Sequence, residues 1–136
     1  MGKELDPLAK DYLKKFQTRV KALQVYFDDE VFSDVMREGQ EALELFLKAL
    51  LRAARVEPEF NHEPSRQLLQ HQADLPSEFK NQLPELIQWS KRLRRIRELA
   101  FYGAPDFIPS QEFSKEEAVE VMEFLKRLAK KAQILS

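Results

Sequence analysis

The seven prolines of this chain fall between stretches of helical periodicity or at their first positions, and only three glycines relax the backbone anywhere else. Proline removes a backbone donor and clashes with the turn before it, so this punctuation divides the chain into helices joined by short connections. No pattern of alternating apolar and polar residues competes with that reading. The fold class is therefore all-α.

The first helix is expected to start with Asp6 as N-cap and Pro7 at its first position. Leu8, Tyr12, Phe16, Val20, Leu23 and Phe27 recur at near-helical spacing and give it a packing face. Asp28, Asp29 and Glu30 break it. A longer helix is predicted to follow, to about Arg55, with Phe32, Val35, Met36, Leu43, Phe46, Leu47, Leu50 and Ala54 as core candidates. So much apolar surface implies burial on more than one side.

Pro58, Pro64 and Pro76 punctuate the next segment, which is expected to form a loop, a short helix from about Pro64 to Ala73, and another turn from Ser77. Pro84 opens or kinks the helix after it. Residues Tyr102 to Phe113 lack periodicity but carry Tyr102, Phe107, Ile108 and Phe113, which predicts a loop pinned by aromatic burial. Ser114 and Glu117 have capping-box spacing and start the last helix. Val121, Met122, Leu125, Leu128 and Ala132 form its packing stripe, while Lys126, Arg127, Lys130 and Lys131 suit its C-terminal end.

A chain of 136 residues with 43% hydrophobic content supports one core, so residues 1–136 are read as a single domain. Its 22 cations and 23 acids leave a net charge of −1, and no global field draws it onto nucleic acid or an anionic membrane. Any affinity for phosphate must be local. Cysteine is absent, which excludes disulfides and thiolate metal sites. No apolar leader or membrane-length apolar run is present, and a soluble cytoplasmic protein is expected. Two histidines leave only carboxylate-rich metal sites, and Asp28, Asp29 and Glu30 read as solvated charges at a helix break. Without a glycine-rich phosphate loop either, neither metal nor cofactor is expected.

The stretch with functional character is Leu83 to Phe113. At about 100° per residue, Leu83, Leu86, Ile87, Leu93, Ala100 and Phe101 share one broad apolar face, and Ser90, Arg94 and Arg97 fall within it. Arginine cannot escape burial by losing its proton, so such arginines either meet carboxylates of a neighbouring helix or face a cleft open to an anionic ligand. Lys91, Arg92 and Arg95 lie off that face and are expected to be solvated.

Three segments resemble a known family. Gln40-Glu41-Ala42-Leu43-Glu44-Leu45-Phe46-Leu47-Lys48-Ala49-Leu50-Leu51 is similar to the second helix of the HEPN domains, the helical domains named for nucleotide binding in higher eukaryotes and prokaryotes. His62 stands where the family has a histidine before its third helix. Arg95-Ile96-Arg97-Glu98-Leu99-Ala100-Phe101-Tyr102-Gly103, followed by Pro109 and the capped last helix, resembles a prokaryotic, stand-alone branch. The three occur in the family's order across nearly the whole chain.

That resemblance implies an up-and-down bundle of four to five helices, commonly a two-fold homodimer, in which arginines of the cationic helices meet in a shared cleft. Many members are metal-independent ribonucleases with an arginine followed four to six residues later by histidine. Others bind nucleotide or RNA beside a minimal nucleotidyltransferase, often as a toxin and antitoxin pair. This sequence departs from the motif: Arg97 is present, but Tyr102 stands where the histidine would be. Histidine, with a pKa near ~6.5, can take a proton from a ribose hydroxyl at neutral pH, whereas tyrosine near ~10 remains protonated. Arg97 can still stabilise a phosphorane. The family also offers Tyr102 as an acceptor for nucleotide transfer by a partner enzyme.

On this reading Arg97 and Tyr102 are the candidate catalytic residues, and Ser90, Arg94, Arg97, Glu44 and His62 the candidates for nucleotide or phosphate. Gln40, Glu44 and Lys48 share a face of the second helix, where Glu44 either pairs with Lys48 or reaches an arginine of the cationic helix. His62 is otherwise a residue that bonds to backbone at the start of a short helix. Arg66 and His71 satisfy the motif spacing by chance, away from the family's site. The preferred function is a dimeric nucleotide- or RNA-binding module working with a minimal nucleotidyltransferase partner. The alternatives are a metal-independent ribonuclease with an altered motif and a non-catalytic helical adaptor.

Overall fold

In the computed structural model, residues 5–59, 63–102, 105, 108 and 113–135 are described, with the side chains of residues 97–102 outside the description. Six α-helices occur among them: α1 (Pro7–Asp28), α2 (Phe32–Ala53), α3 (Ser65–Gln70), α4 (Ser77–Lys80), α5 (Leu83–Tyr102) and α6 (Lys115–Ala132). Single 3₁₀ turns follow at Gln72–Asp74 and Gln133–Leu135, and no strand is present among the described residues. The four long helices form an up-and-down bundle. Asp6 meets Arg52, and Phe16 meets Phe46, so α1 and α2 run antiparallel. Gln82 meets Lys131 and Arg92 meets Glu120, which makes α5 and α6 antiparallel too.

The helix termini follow from local chemistry. Asp6 caps α1 by accepting from the Ala9 amide at 2.7 Å, and Pro7 takes the first helical position. Ser114 and Glu117 close the expected capping box on α6. Both α1 and α2 end in a Schellman arrangement with an unusual residue at its left-handed position. Glu30 has φ 61° and Arg55 has φ 66°. Amides on either side of the turn satisfy the last carbonyls: Val31 donates to Tyr26 at 2.9 Å, and Val56 to Leu51 at 2.9 Å. These hydrogen bonds hold conformations that glycine would adopt without strain.

Helix α2 is the axis of the molecule, touching α1, α5 and α6. It is no longer than α1, each having 22 residues, contrary to expectation. Its burial on several sides is confirmed by Val35, Met36, Ala42, Leu43, Phe46, Leu47, Ala49, Leu50 and Leu51. Phe46 sits between Phe16 and Phe79, with ring centroids 5.1 and 5.2 Å away. Gly39 lets α6 approach closely: a β-carbon there would lie 3.0 Å from Val121 Cγ1 and 3.2 Å from Leu125 Cδ1.

Two expectations need correction. The buried stripe of α1 runs through Ala9, Leu13, Phe16, Val20 and Leu23, while Leu8 is 42% exposed. Repeated steps of four residues advance about 40° each around a helix, so a chain of such steps drifts off the core face that alternating steps of three and four keep. Of the apolar residues expected to pin the segment before α6, Phe113 is buried, but Ile108 is 45% exposed. Phe107 lies outside the described residues, and so does the side chain of Tyr102.

Candidate functional site

The site is assembled where α5 crosses α2 and meets the segment leading into α3. The apolar face expected for α5 is seen at Leu83, Leu86 and Leu93, all buried, with Ser90 buried between them. A hydroxyl there needs an acceptor. Ser90 Oγ finds one in Glu63, donating to Oε1 at 2.7 Å. The same carboxylate accepts from the Ser65 hydroxyl and, at 3.0 Å, from the Ser65 amide. Glu63 thus ties the start of α3 to the middle of α5.

One turn further along α5, Arg94 Nη1 donates to Glu44 Oε1 on α2 at 3.0 Å. Of the two partners for Glu44 considered from the sequence, the structure provides the arginine of α5. Arg94 keeps 35% of its side chain exposed and Glu44 keeps 20%. The pair is therefore anchored at its α2 end and open at its α5 end. Arg94, Lys91, Arg95 and Glu63 line a shallow hollow of about 430 Å³, in which three cations face one carboxylate. An anionic ligand entering it would meet cations, two of them on exposed flexible stems, and displace only water.

Arg92 is not simply solvated. It lies over the Trp89 ring, 4.7 Å from the centroid, and donates to both oxygens of Glu120 at 2.9 and 3.5 Å. That guanidinium holds the Glu120 carboxyl below its ordinary pKa of 4.5. Trp89 in turn stacks on Phe124 at 4.8 Å. This column belongs to the α5/α6 interface, so Arg92 is a structural residue. Lys91 and Arg95 are exposed, as expected.

Gln40 adds a second polar group near Glu44. It is 1% exposed, and neither its amide nitrogen nor its oxygen has a hydrogen-bond partner among the described residues. It lies one turn before Glu44 on the same face of α2, and the antiparallel run of the two helices carries it toward the C-terminal end of α5. Arg97 is in α5, three residues beyond Arg94, and Tyr102 is its last residue. Their side chains lie outside the description, and His62 lies outside the described residues altogether. The decoy pair is split: Arg66 is exposed in α3, and His71 lies just beyond its end.

Sequence reasoning missed Glu63. The signal was available, since a serine on an apolar stripe demands an acceptor and an acid two residues before a helix-opening serine is placed to cap it. Among the described residues, no group of His, Asp and Glu side chains is disposed to hold a metal ion, and no helix is long and apolar enough to cross a membrane.

With this geometry in place, the sequence model describing the HEPN domain matches residues 9–135, nearly the entire chain. The chain belongs to the HEPN family. Searches of curated proteins and of solved structures return no match. The all-α bundle is that of a HEPN domain, and the membership supports a general role in nucleotide or RNA handling. In this HEPN domain the cationic helix is α5, and the carboxylate that orients its Arg94 comes from α2.

Proposed function

We propose that this HEPN domain is a dimeric nucleotide- or RNA-binding module that works beside a minimal nucleotidyltransferase, in the manner of a toxin and antitoxin pair. The observation that carries the reading is Arg94: fixed on Glu44 at 3.0 Å, it stays one-third exposed above a hollow shared with Lys91 and Arg95. An arginine buried only for stability would have its donors enclosed by the two helices. Here one end is oriented by a carboxylate and the other is available to a phosphate.

HEPN domains often form dimers, and a dimer whose α5 helices face each other would double the cations around one ligand. Arg97 then stabilises phosphate charge, with Ser90 and Glu63 holding α5 in register, and His62 is retained as a candidate contact on the sequence pattern alone. Tyr102, protonated at neutral pH, serves better as a hydrogen-bond donor than as a base, so binding is favoured over efficient turnover.

The test is incubation of the purified protein with mixed RNA substrates in the presence of chelator, beside Arg97→Ala and Tyr102→Phe variants. The expected result is retention of nucleotide or RNA by the wild type, loss in the Arg97 variant, and no cleavage. Cleavage that disappears in the Arg97 variant would instead assign a metal-independent ribonuclease with an altered motif. Capture of a nucleotidyltransferase with no nucleotide affinity would assign an adaptor.

A further inference from the structure

A second cationic surface lies on the α1/α6 side of the bundle, away from the α2/α5 crossing. Two hollows of about 530 and 360 Å³ lie there, and they share Gln17, Lys21 and Gln133, so they form one continuous groove. Lys10, Lys14 and Lys21 line it from α1, and Lys126 and Lys130 from α6. No acidic residue lines either hollow. In a chain with one more acid than cation, five lysines converging without a carboxylate is a local concentration of charge.

The five lysines are exposed, and Lys10, Lys14, Lys21 and Lys130 make no ion pair among the described residues. Asp11, the nearest acid on α1 to Lys10 and Lys14 in sequence, is engaged elsewhere, by Lys15 at 3.2 Å. Leu13, Val20, Ala129 and Ala132, all buried, give the groove an apolar floor between the lysines. Lys10, Lys14 and Lys21 recur at one and two turns along one stripe of α1, a span of about 16 Å at ~1.5 Å per residue. That length matches about five phosphates of one stacked strand at ~3.4 Å each.

We propose that the α1/α6 groove binds the phosphate backbone of single-stranded RNA. The choice of RNA rests on the functional reading of the α5 site; the charge pattern itself does not. Lysines are point charges that neutralise phosphates without demanding one geometry, and no aromatic ring lines the groove to stack a base. The groove therefore holds a strand without reading its sequence. Gln17 is occupied, its amide donating to the Ala129 carbonyl at 2.9 Å, which braces α1 against α6 and keeps the groove at a fixed width. A membrane surface fits this shape poorly, because the apolar floor is recessed in a concave cleft beneath the lysines and presents no outward apolar face to lie in a bilayer interface.

The experiment is fluorescence anisotropy of a labelled single-stranded RNA of mixed sequence, titrated with the 136-residue chain at several salt concentrations. The groove variant is Lys14→Glu, Lys21→Glu and Lys130→Glu together. The control is Arg66→Glu, Lys80→Glu and Lys115→Glu, which changes net charge equally at exposed positions outside the groove. The expected result is at least a tenfold loss of affinity in the groove variant, with the slope of log K against log salt shallower by about 2, at ~0.7 per phosphate contact. The control should lose less than threefold.

Equal losses in the two variants, or wild-type affinity and slope in a folded groove variant, would overturn the proposal. Polyglutamate displacing the RNA as well as unlabelled RNA does, at equal charge concentration, would also overturn it and assign the groove to an acidic protein. Nucleotide binding measured in parallel on Arg94→Gln reports the α5 site by itself. RNA affinity that depends on Arg94 and not on the groove lysines leaves the α5 reading standing and this one overturned.

Discussion

Arg94 and Glu44 join α5 to α2 through one charged hydrogen bond of 3.0 Å at the edge of a largely apolar helix crossing. A pair this accessible contributes little to stability, about 0–1 kcal/mol. Its cost in conformational freedom makes better sense if it fixes the guanidinium for a ligand. Glu44→Gln is therefore expected to lower nucleotide affinity about tenfold while changing Tm by no more than a few degrees, measured by calorimetric titration and thermal melting. A fall in Tm with unchanged affinity would make the pair structural.

Asp6 has two roles, as cap of α1 and as bidentate partner of Arg52 near the end of α2, with contacts of 2.8 and 3.1 Å. The hydrogen bonds from Arg52 and then from the Ala9 amide depress its pKa below the ordinary 3.8. A depressed carboxylate stabilises the fold fully above its unfolded pKa and loses that contribution as pH falls through the folded one. Asp6→Asn should thus lie below the wild type in Tm by a constant amount at neutral and mildly acid pH. The gap should close only below about pH 3.8. A gap that closes near neutrality would remove Asp6 as its source.

Glu30 occupies a left-handed backbone position with φ 61° at the end of α1. Glycine is free of the clash that an L side chain meets there, of about 1 kcal/mol. Glu30→Gly is expected to raise Tm by roughly 3 °C in a domain of this size. A lower Tm would mean that the side chain, and not only the backbone turn, supports the α1/α2 connection.

Gly39 lies where α6 packs closely on α2. Valine there would drive its side chain into Val121 and Leu125, already 3.0 and 3.2 Å from the site of a β-carbon. Overpacking of this kind costs about 1–3 kcal/mol. Denaturant unfolding of Gly39→Val should show a lower midpoint with an unchanged slope.

Gln40 buries an amide that has no partner among the described residues. Such a group costs about 1–3 kcal/mol relative to an apolar one of similar shape. Gln40→Met is expected to be more stable than the wild type by urea unfolding. If the same variant also loses nucleotide or RNA affinity, the amide is kept for a ligand; if affinity is retained, it is a packing residue.

Much of the fold was legible because helix ends have local causes. Asp6 before Pro7, and Ser114 before Glu117, mark two starts by short-range hydrogen bonding that needs no tertiary knowledge. The all-round burial of α2 was legible from its surplus of apolar residues. The exposure of Leu8 was not, because drift of a stripe matters only once a neighbouring helix fixes which angle faces the core. Arg92 went unread for a related reason: nothing local says that Trp89 lies beneath it and Glu120 opposite. In the site, Ser90, Arg94 and Glu44 are brought together much as periodicity allowed, but Glu63 comes from a connection, where spacing carries no angular information. Arg97, Tyr102 and His62 remain placed by sequence pattern alone.

The column formed by Phe124, Trp89 and Arg92 contains the only tryptophan of the chain. Its indole is clamped between a ring of α6 and a guanidinium of its own helix, next to Ser90 in the chain and five residues before Arg94. Any shift of α5 against α6 must therefore change the polarity and quenching around a single chromophore. The protein carries its own optical gauge of helix docking, readable from emission without a label.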